Sequence, residues 1–280
     1  MNGIECMVSS IVERAAQNIK PTEGDYIKDG LLYCGKCNTP KQCRVTLFGK
    51  ERTPMCVCKC ESERMKREEE EQERIAFQQK IKEYRRIGFP ESEMGSWTFE
   101  NTDGSNEKNM NAMRKYVENF KEFRKQGKGL LLFGPVGTGK TYAAACIINA
   151  LIDIGYPALM SNFARIANTV SGMFDGKQQY YDSLNRFPLL ALDDLSAERK
   201  TEYMQEIVFN VIDSRYRAGL PIIVTTNLTW EELVNPKDVS YQRIFSRLLE
   251  MCVPVKFEGA DKRVERLKQD LRGARDLLGL

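Results

Sequence analysis

The chain has 280 residues, room for one good-sized domain plus a small module, and its 42% apolar content is that of an ordinary globular protein. A formal net charge of +3 selects no partner by itself, and the complete absence of histidine removes that residue from any catalytic or metal-binding role. No run approaches the roughly 18 apolar residues needed to span a bilayer, and Met1–Lys20 lacks the basic start and apolar run of a signal peptide, so a cytoplasmic location is expected.

In chain order, Ile4, Val8, Ile11, Ala15 and Ile19 fall at helical spacing and predict a short amphipathic helix over 4–19, either packed on the next module or open to a partner. Six of the nine cysteines then lie between Cys34 and Cys60. In a reducing compartment such clustering points to metal rather than disulfides. Cys34-Gly35-Lys36-Cys37 is a C-x-x-C turn, and Cys56-Val57-Cys58-Lys59-Cys60 follows it. Tetrahedral zinc needs four thiolates. The preferred set is Cys34, Cys37, Cys58 and Cys60, with Cys56 as the substitute and Cys43 a sixth possibility. An all-cysteine set also admits an iron–sulfur cluster. Residues 30–60 carry Lys36, Lys41, Arg44, Lys50, Arg52 and Lys59 against one acid, Glu51, so this module is expected to present a basic surface.

Residues 61–87 interleave eight acidic and eight basic residues. Glu63 with Arg67, and Glu70 with Arg74, sit at i, i+4, which predicts a solvated helical linker. Gly88-Phe89-Pro90 ends it. Beyond, short apolar runs at Gly129–Phe133, Pro157–Ser161, Leu189–Leu192, Pro221–Thr225 and Val253–Phe257 read as buried parallel strands. Helical patterns lie between them at Tyr142–Ile154, Phe163–Phe174, Gln178–Arg186, Thr201–Arg217 and Tyr241–Met251. Alternating strands and helices define an α/β fold with a doubly wound parallel sheet. Cys146, in an apolar helix, and Cys252, opening an apolar strand, read as core.

The chemistry is concentrated at three strand ends. Gly134-Pro135-Val136-Gly137-Thr138-Gly139-Lys140-Thr141 fits G-x-x-x-x-G-K-[ST], between the strand Leu130–Phe133 and a helix. Its glycines let backbone N–H groups curl around phosphates. Lys140 is expected to reach the β- and γ-phosphates and Thr141 to ligate Mg²⁺. Leu189–Leu192 ends in Asp193-Asp194, a carboxylate pair that is costly at a buried strand end unless a cation meets it. Asp193 is assigned to Mg²⁺ and Asp194 to the attacking water. Ile222–Thr226 ends in Asn227, a polar side chain expected to help position that water.

This combination resembles the AAA+ ATPases of the bacterial and phage helicase-loader group, the DnaC/DnaI family, which is related to IstB-type transposition ATPases. Gly134–Thr141 resembles Walker A, Leu190–Asp194 Walker B, and Thr225-Thr226-Asn227 sensor 1. Tyr241–Arg247 resembles the family's arginine-finger helix, and Val253–Gly259 its last strand. The resemblance implies an AAA+ P-loop ATPase with a truncated lid at 95–280, a charged helical linker at 61–94, and an N-terminal helix with a zinc module at 1–60. It further implies ATP, Mg²⁺ and Zn²⁺ as ligands, ATP-dependent self-association, and an arginine finger given in trans, with Arg247 the first choice and Arg243 the second. Loading of a hexameric replicative helicase onto single-stranded DNA follows as the expected function, with residues 1–60 docking on the helicase. An IstB-like transposition helper and a recruiting adaptor that hardly hydrolyses ATP are the alternatives. Trp97 and Phe99 are expected against the adenine or packed on the sheet. Two features depart from the wider AAA+ pattern. The strand ends in Asp-Asp rather than Asp-Glu, and only 23 residues follow Phe257, which leaves Lys262 and Arg263 as weak sensor 2 candidates.

Overall fold

Five apolar strands pair into one all-parallel sheet in the computed structural model, which describes residues 21–47, 49–89, 91–195, 201–264, 267, 275 and 278. The amphipathic segment expected at 4–19 lies outside the described residues. Contacts divide the chain into two units, Met1–Gln78 and Gln79–Leu280. No helix among the described residues is long and apolar enough to cross a membrane.

The described part of the first unit includes two hairpins of three-residue strands, β1 (Tyr26–Lys28) with β2 (Leu31–Tyr33) and β3 (Val45–Leu47) with β4 (Lys50–Arg52). The two CxxC-like segments flank these hairpins, and the second leads straight into α1 (Lys59–Gly88). Exposed charge pairs run along that helix, but not at the anticipated positions. Arg74 pairs with Glu71, Glu70 with Lys66, and Arg64 with both Glu61 and Glu68. Such solvated pairs contribute little each.

In the second unit the last turns of α1 are not a free linker. Ile81 and Tyr84 pack on the sheet's core, and Gly88 is buried where a Cβ would meet the Ala158 carbonyl at 2.8 Å. A 3-10 turn (Ser92–Ser96) and two helices, α2 (Glu107–Glu118) and α3 (Phe120–Lys125), follow before the first core strand. These helices were not anticipated, although Met110, Met113, Tyr116 and Phe120 recur at helical spacing and are all buried. The remaining elements are β5 (Gly129–Phe133), α4 (Lys140–Asp153), β6 (Ala158–Asn162), α5 (Phe163–Ser171), α6 (Lys177–Leu184), β7 (Leu189–Leu195), α7 (Glu202–Arg217), β8 (Ile222–Thr226), α8 (Trp230–Val234), α9 (Val239–Met251) and β9 (Cys252–Lys256).

The strand order is β6-β7-β8-β5-β9. Side chains alternate along each strand, and both faces are apolar. Leu131, Leu190, Leu192 and Val224 join one cluster with α5, α7 and α9, while Leu130, Leu132, Ala191 and Ile223 join the other with α2 and α4. That two-sided burial is why the strands read as continuous hydrophobic runs. The largest fully buried side chain is a charged one. Arg215 on α7 is fully buried and donates to the carbonyls of Phe187 (2.8 Å), Leu184, Pro188 and Pro221, tying together the starts of β7 and β8. Burial without a carboxylate partner pushes its guanidinium down to about 9.

Candidate nucleotide and metal sites

Because β8 lies between β5 and β7, whatever follows β8 falls between the glycine-rich loop and the two acids. This topology, rather than proximity in sequence, gathers the site. A cavity of about 900 Å³ is lined by Gly137, Gly139, Lys140, Thr141, Asp193, Asp194 and Asn227, and closed by Trp97, Lys262 and Arg263.

The loop adopts the backbone its sequence permits. Gly134, Gly137 and Gly139 have φ of 134°, 75° and 96°. At Gly134 an added Cβ would meet the Phe257 carbonyl at 2.1 Å, so glycine is required on two counts. Gly139 caps α4, whose free N–H groups face the cavity. Thr138 is buried, and its hydroxyl donates to the Pro135 carbonyl (2.9 Å). Val136 is half exposed at the loop's crest. Asn106, itself at a positive φ, donates from Nδ2 to the Thr138 carbonyl (3.1 Å) and braces the loop from outside, a contact that no motif signals.

Lys140 donates to the carbonyls of Gly134 (2.8 Å) and Pro135 (2.6 Å). Burial lowers its pKa, and the negative charges of Asp194 and Asp193 work against that shift. The ammonium is thus held over the loop with the acids opposite it. Asp193 is shifted the other way: burial raises its pKa, against hydroxyl hydrogen bonds from Thr225 and Thr141. A half-buried carboxylate beside the Thr141 hydroxyl, with no cationic side chain bonded to it among the described residues, is an oxygen donor set that suits a hard divalent cation. Asp194 is exposed and has φ 58°, a left-handed conformation that Asp tolerates at modest cost. Asn227 is exposed at the end of β8.

The two aromatics ahead of the core domain differ in their surroundings. Trp97 lines the cavity and packs on Tyr142 at 5.6 Å between ring centroids. Phe99 is core, with the Arg114 guanidinium over its ring. Lys262 lines the cavity but pairs with Asp103 (2.9 Å). The two arginines on α9 differ. Arg247 is half-buried, 4.6 Å from the Phe209 ring centroid, and in charge contact with Asp213 (2.9 Å). Arg243 is exposed and makes no ion pair among the described residues.

In the first unit, the Sγ atoms of Cys34, Cys37, Cys58 and Cys60 lie within 4.8 Å of one another. The Cys34–Cys60 and Cys58–Cys60 separations are 3.6 and 3.5 Å. A tetrahedron of zinc–sulfur bonds has sulfur–sulfur edges of about 3.8 Å, so the cluster is close to the geometry of a closed zinc site. Cys56 and Cys43 stand outside it, against the carbonyls of Pro40 and Pro54. Backbone N–H groups of Cys37 and Lys36 hold the Cys34 thiol low. Cys37 is lowered to about 5 by the Thr39 hydroxyl and the Cys60 N–H in the first turn of α1. Cys60 is instead pushed up to about 12 by the crowding sulfurs of Cys58, Cys37 and Cys34. Four thiolates cannot share this volume without a cation among them.

Lys41 corrects the expected basic surface. It is buried, and its ammonium bonds Asp25 (2.6 Å) and the Thr22 hydroxyl (2.9 Å). The Lys41 ammonium holds Asp25 far below the ordinary carboxylate range. Asp25 in turn accepts the Gly35 N–H (3.2 Å), clamping the first cysteine turn. Gly35 is confined as well, since a Cβ there would lie 2.0 Å from the Gly24 carbonyl.

A parallel sheet with a strand inserted between the phosphate loop and the acidic strand, and a cavity joining those ends, defines an ATP-binding P-loop ATPase of the AAA+ class. The chain belongs to the IstB-like ATP-binding protein family, whose model matches residues 55–270. It is 24% identical to the replicative helicase loader DnaI of Bacillus subtilis over 245 residues, covering 82% of this chain and 78% of that protein. It is 28% identical to the replicative helicase loader DnaC of Escherichia coli K12 over 140 residues, covering 49% of this chain and 57% of that one. A crystal structure of DnaI superposes with a TM-score of 0.53 at 22% identity, over 61% of this chain and 96% of that one, a likeness of fold.

Proposed function

We propose that this ATPase loads a hexameric replicative helicase onto single-stranded DNA, with residues 1–60 docking on the helicase, 61–94 linking, and 95–280 acting as the motor. The observation that carries this reading is the extent of the DnaI match. At 82% of the chain it exceeds the ATPase portion and takes in Cys56–Cys60 as well as the phosphate loop and both acids. A likeness confined to the motor would not favour a loader over any other AAA+ ATPase.

In this reading the loop Gly134–Thr141 wraps the phosphates with backbone N–H groups, and Lys140 leaves its loop carbonyls for the β- and γ-phosphate oxygens. Asp193 and the Thr141 hydroxyl hold Mg²⁺, which would neutralise phosphate charge. Asp194 takes the proton of the attacking water, and Asn227 orients that water. A neighbouring copy supplies an arginine from α9. Arg243 is free to reach, whereas Arg247 must first exchange Asp213 for phosphate. Cys34, Cys37, Cys58 and Cys60 hold a structural zinc that shapes the docking module.

Light scattering of the chain mixed with its host's replicative helicase, with and without ATP, tests the proposal. A stable complex that is lost on deleting residues 1–60 is expected. Absence of a complex in both states would overturn it. The family match itself favours a second reading, an IstB-like transposition helper, which would then lead.

A further inference from the structure

The acid pair is seated by a distortion of the sheet. Between Leu192 and Leu195, β7 takes three steps while β8 takes two, from Val224 to Thr226, so the β7–β8 register shifts there. Asp193 and Asp194 form the resulting bulge, and the left-handed φ of Asp194 belongs to it. A bulge interrupts the ladder, and its N–H groups need other acceptors. Here two consecutive threonines satisfy the freed groups, Thr225 as an acceptor and Thr226 as a donor. The Asp194 N–H donates to Thr225 Oγ1 (2.9 Å), and the same hydroxyl donates its proton to Asp193 Oδ1 (2.6 Å). On the far side the Thr226 hydroxyl donates to the Leu195 carbonyl (2.8 Å).

Thr225 is 1% exposed, so its hydroxyl is shielded from bulk water. Its single proton is committed to Asp193, which fixes the direction of the relay from backbone N–H to hydroxyl to carboxylate. One oxygen atom therefore sets both the turn that presents Asp194 and the rotamer of Asp193. Asp193 also meets the Thr141 hydroxyl and lines the cavity.

We propose that Thr225 is a positioning residue for the ATPase reaction, which locks the Asp193–Asp194 bulge so that one carboxylate meets the metal–phosphate group and the other the water. The inference rests on the nucleotide site being the one described above. Valine is nearly isosteric with threonine and removes only the hydroxyl, whereas serine keeps it.

Full-length Thr225→Val, Thr225→Ser and Lys140→Ala chains are compared for binding of a fluorescent ATP analogue, with Mg²⁺ and with EDTA, and for single-turnover hydrolysis at excess protein. Thr225→Val is expected to keep the Mg²⁺-free affinity, lose most of the gain that Mg²⁺ confers, and hydrolyse about ten- to a hundredfold more slowly. Thr225→Ser is expected to recover most of that loss. Equal losses with and without Mg²⁺, or a serine variant as impaired as valine, would show a purely structural role and overturn the proposal. A valine variant equal to the unmodified chain would do the same. Unchanged binding in Lys140→Ala would instead sink the site assignment itself, a separate failure.

Discussion

The two units are held together by different physics. The sheet of the ATPase unit buries Leu131, Leu132, Leu189, Leu190, Ile222 and Val224 almost completely on both faces. The cysteine unit has hairpins with strands of three residues each, and their side chains are half-buried or exposed. Among its described residues the buried groups are Cys34 and Cys58 of the sulfur cluster and the Lys41–Asp25 pair. In the proposed reading a cation at the four sulfurs would add what so little described apolar burial does not supply. The contrast is between a part stable by apolar burial and a part proposed to be stable by coordination, and each would answer to a different perturbation.

The largest effect expected is from metal removal. Chelation, or Cys58→Ser, should unfold the first unit, since structural zinc contributes on the order of 10 kcal/mol. ATP binding should survive. Metal analysis of protein purified without added zinc, followed by proteolysis and nucleotide binding after chelation, checks both halves. A metal-free protein with a protease-resistant first unit would break the contrast. Next, Lys140→Ala should reduce ATP affinity at least about a hundredfold with little change in thermal stability, because the ammonium is bonded only to its own loop. Titration with labelled ATP alongside a melting curve is the measurement.

Arg215→Met should lower the stability of the ATPase unit by about 3 kcal/mol, by leaving several buried carbonyls without a donor. Denaturant unfolding, with zinc content unchanged, would sharpen the division between the units. The smallest effect is expected at Asp25→Asn. The folded carboxyl is held well below its usual range by Lys41, so the pair's contribution is complete above the ordinary carboxylate pKa and is lost only as pH falls below it. At neutral pH the variant should lose zinc to a chelator severalfold faster. A rate equal to the unmodified protein's would show that the clamp on Gly35 is dispensable.

Much of the site is legible along the chain because its chemistry is local. A loop that curls around phosphate must spell its glycines in order, and Gly134–Thr141 does. Carboxylates at a strand end show as Asp193-Asp194 after an apolar run, and thiolates come in pairs because each pair occupies a single turn. The positions of the central strands β5, β7 and β8 are legible for a related reason: a strand buried on both faces has few polar residues to spare. The charged helix was read as a solvated linker because its composition is polar, yet Ile81, Tyr84 and Gly88 are enough to seat its last turns.

Sequence alone therefore determined the class of reaction and made the glycine-rich loop, the paired acids and the clustered cysteines legible, since each is written in short contiguous runs. Tertiary structure decided the rest. Only the strand order sets Asn227 between the loop and the acids. Only the mismatch between β7 and β8 makes Thr225 a shared partner of both acids, and only packing buries Arg215 and turns Lys41 from a surface charge into Asp25's partner. Each of these depends on which segments meet in space. A hydroxyl, a guanidinium or an ammonium carries no mark in sequence of the partner that a distant segment will bring to it.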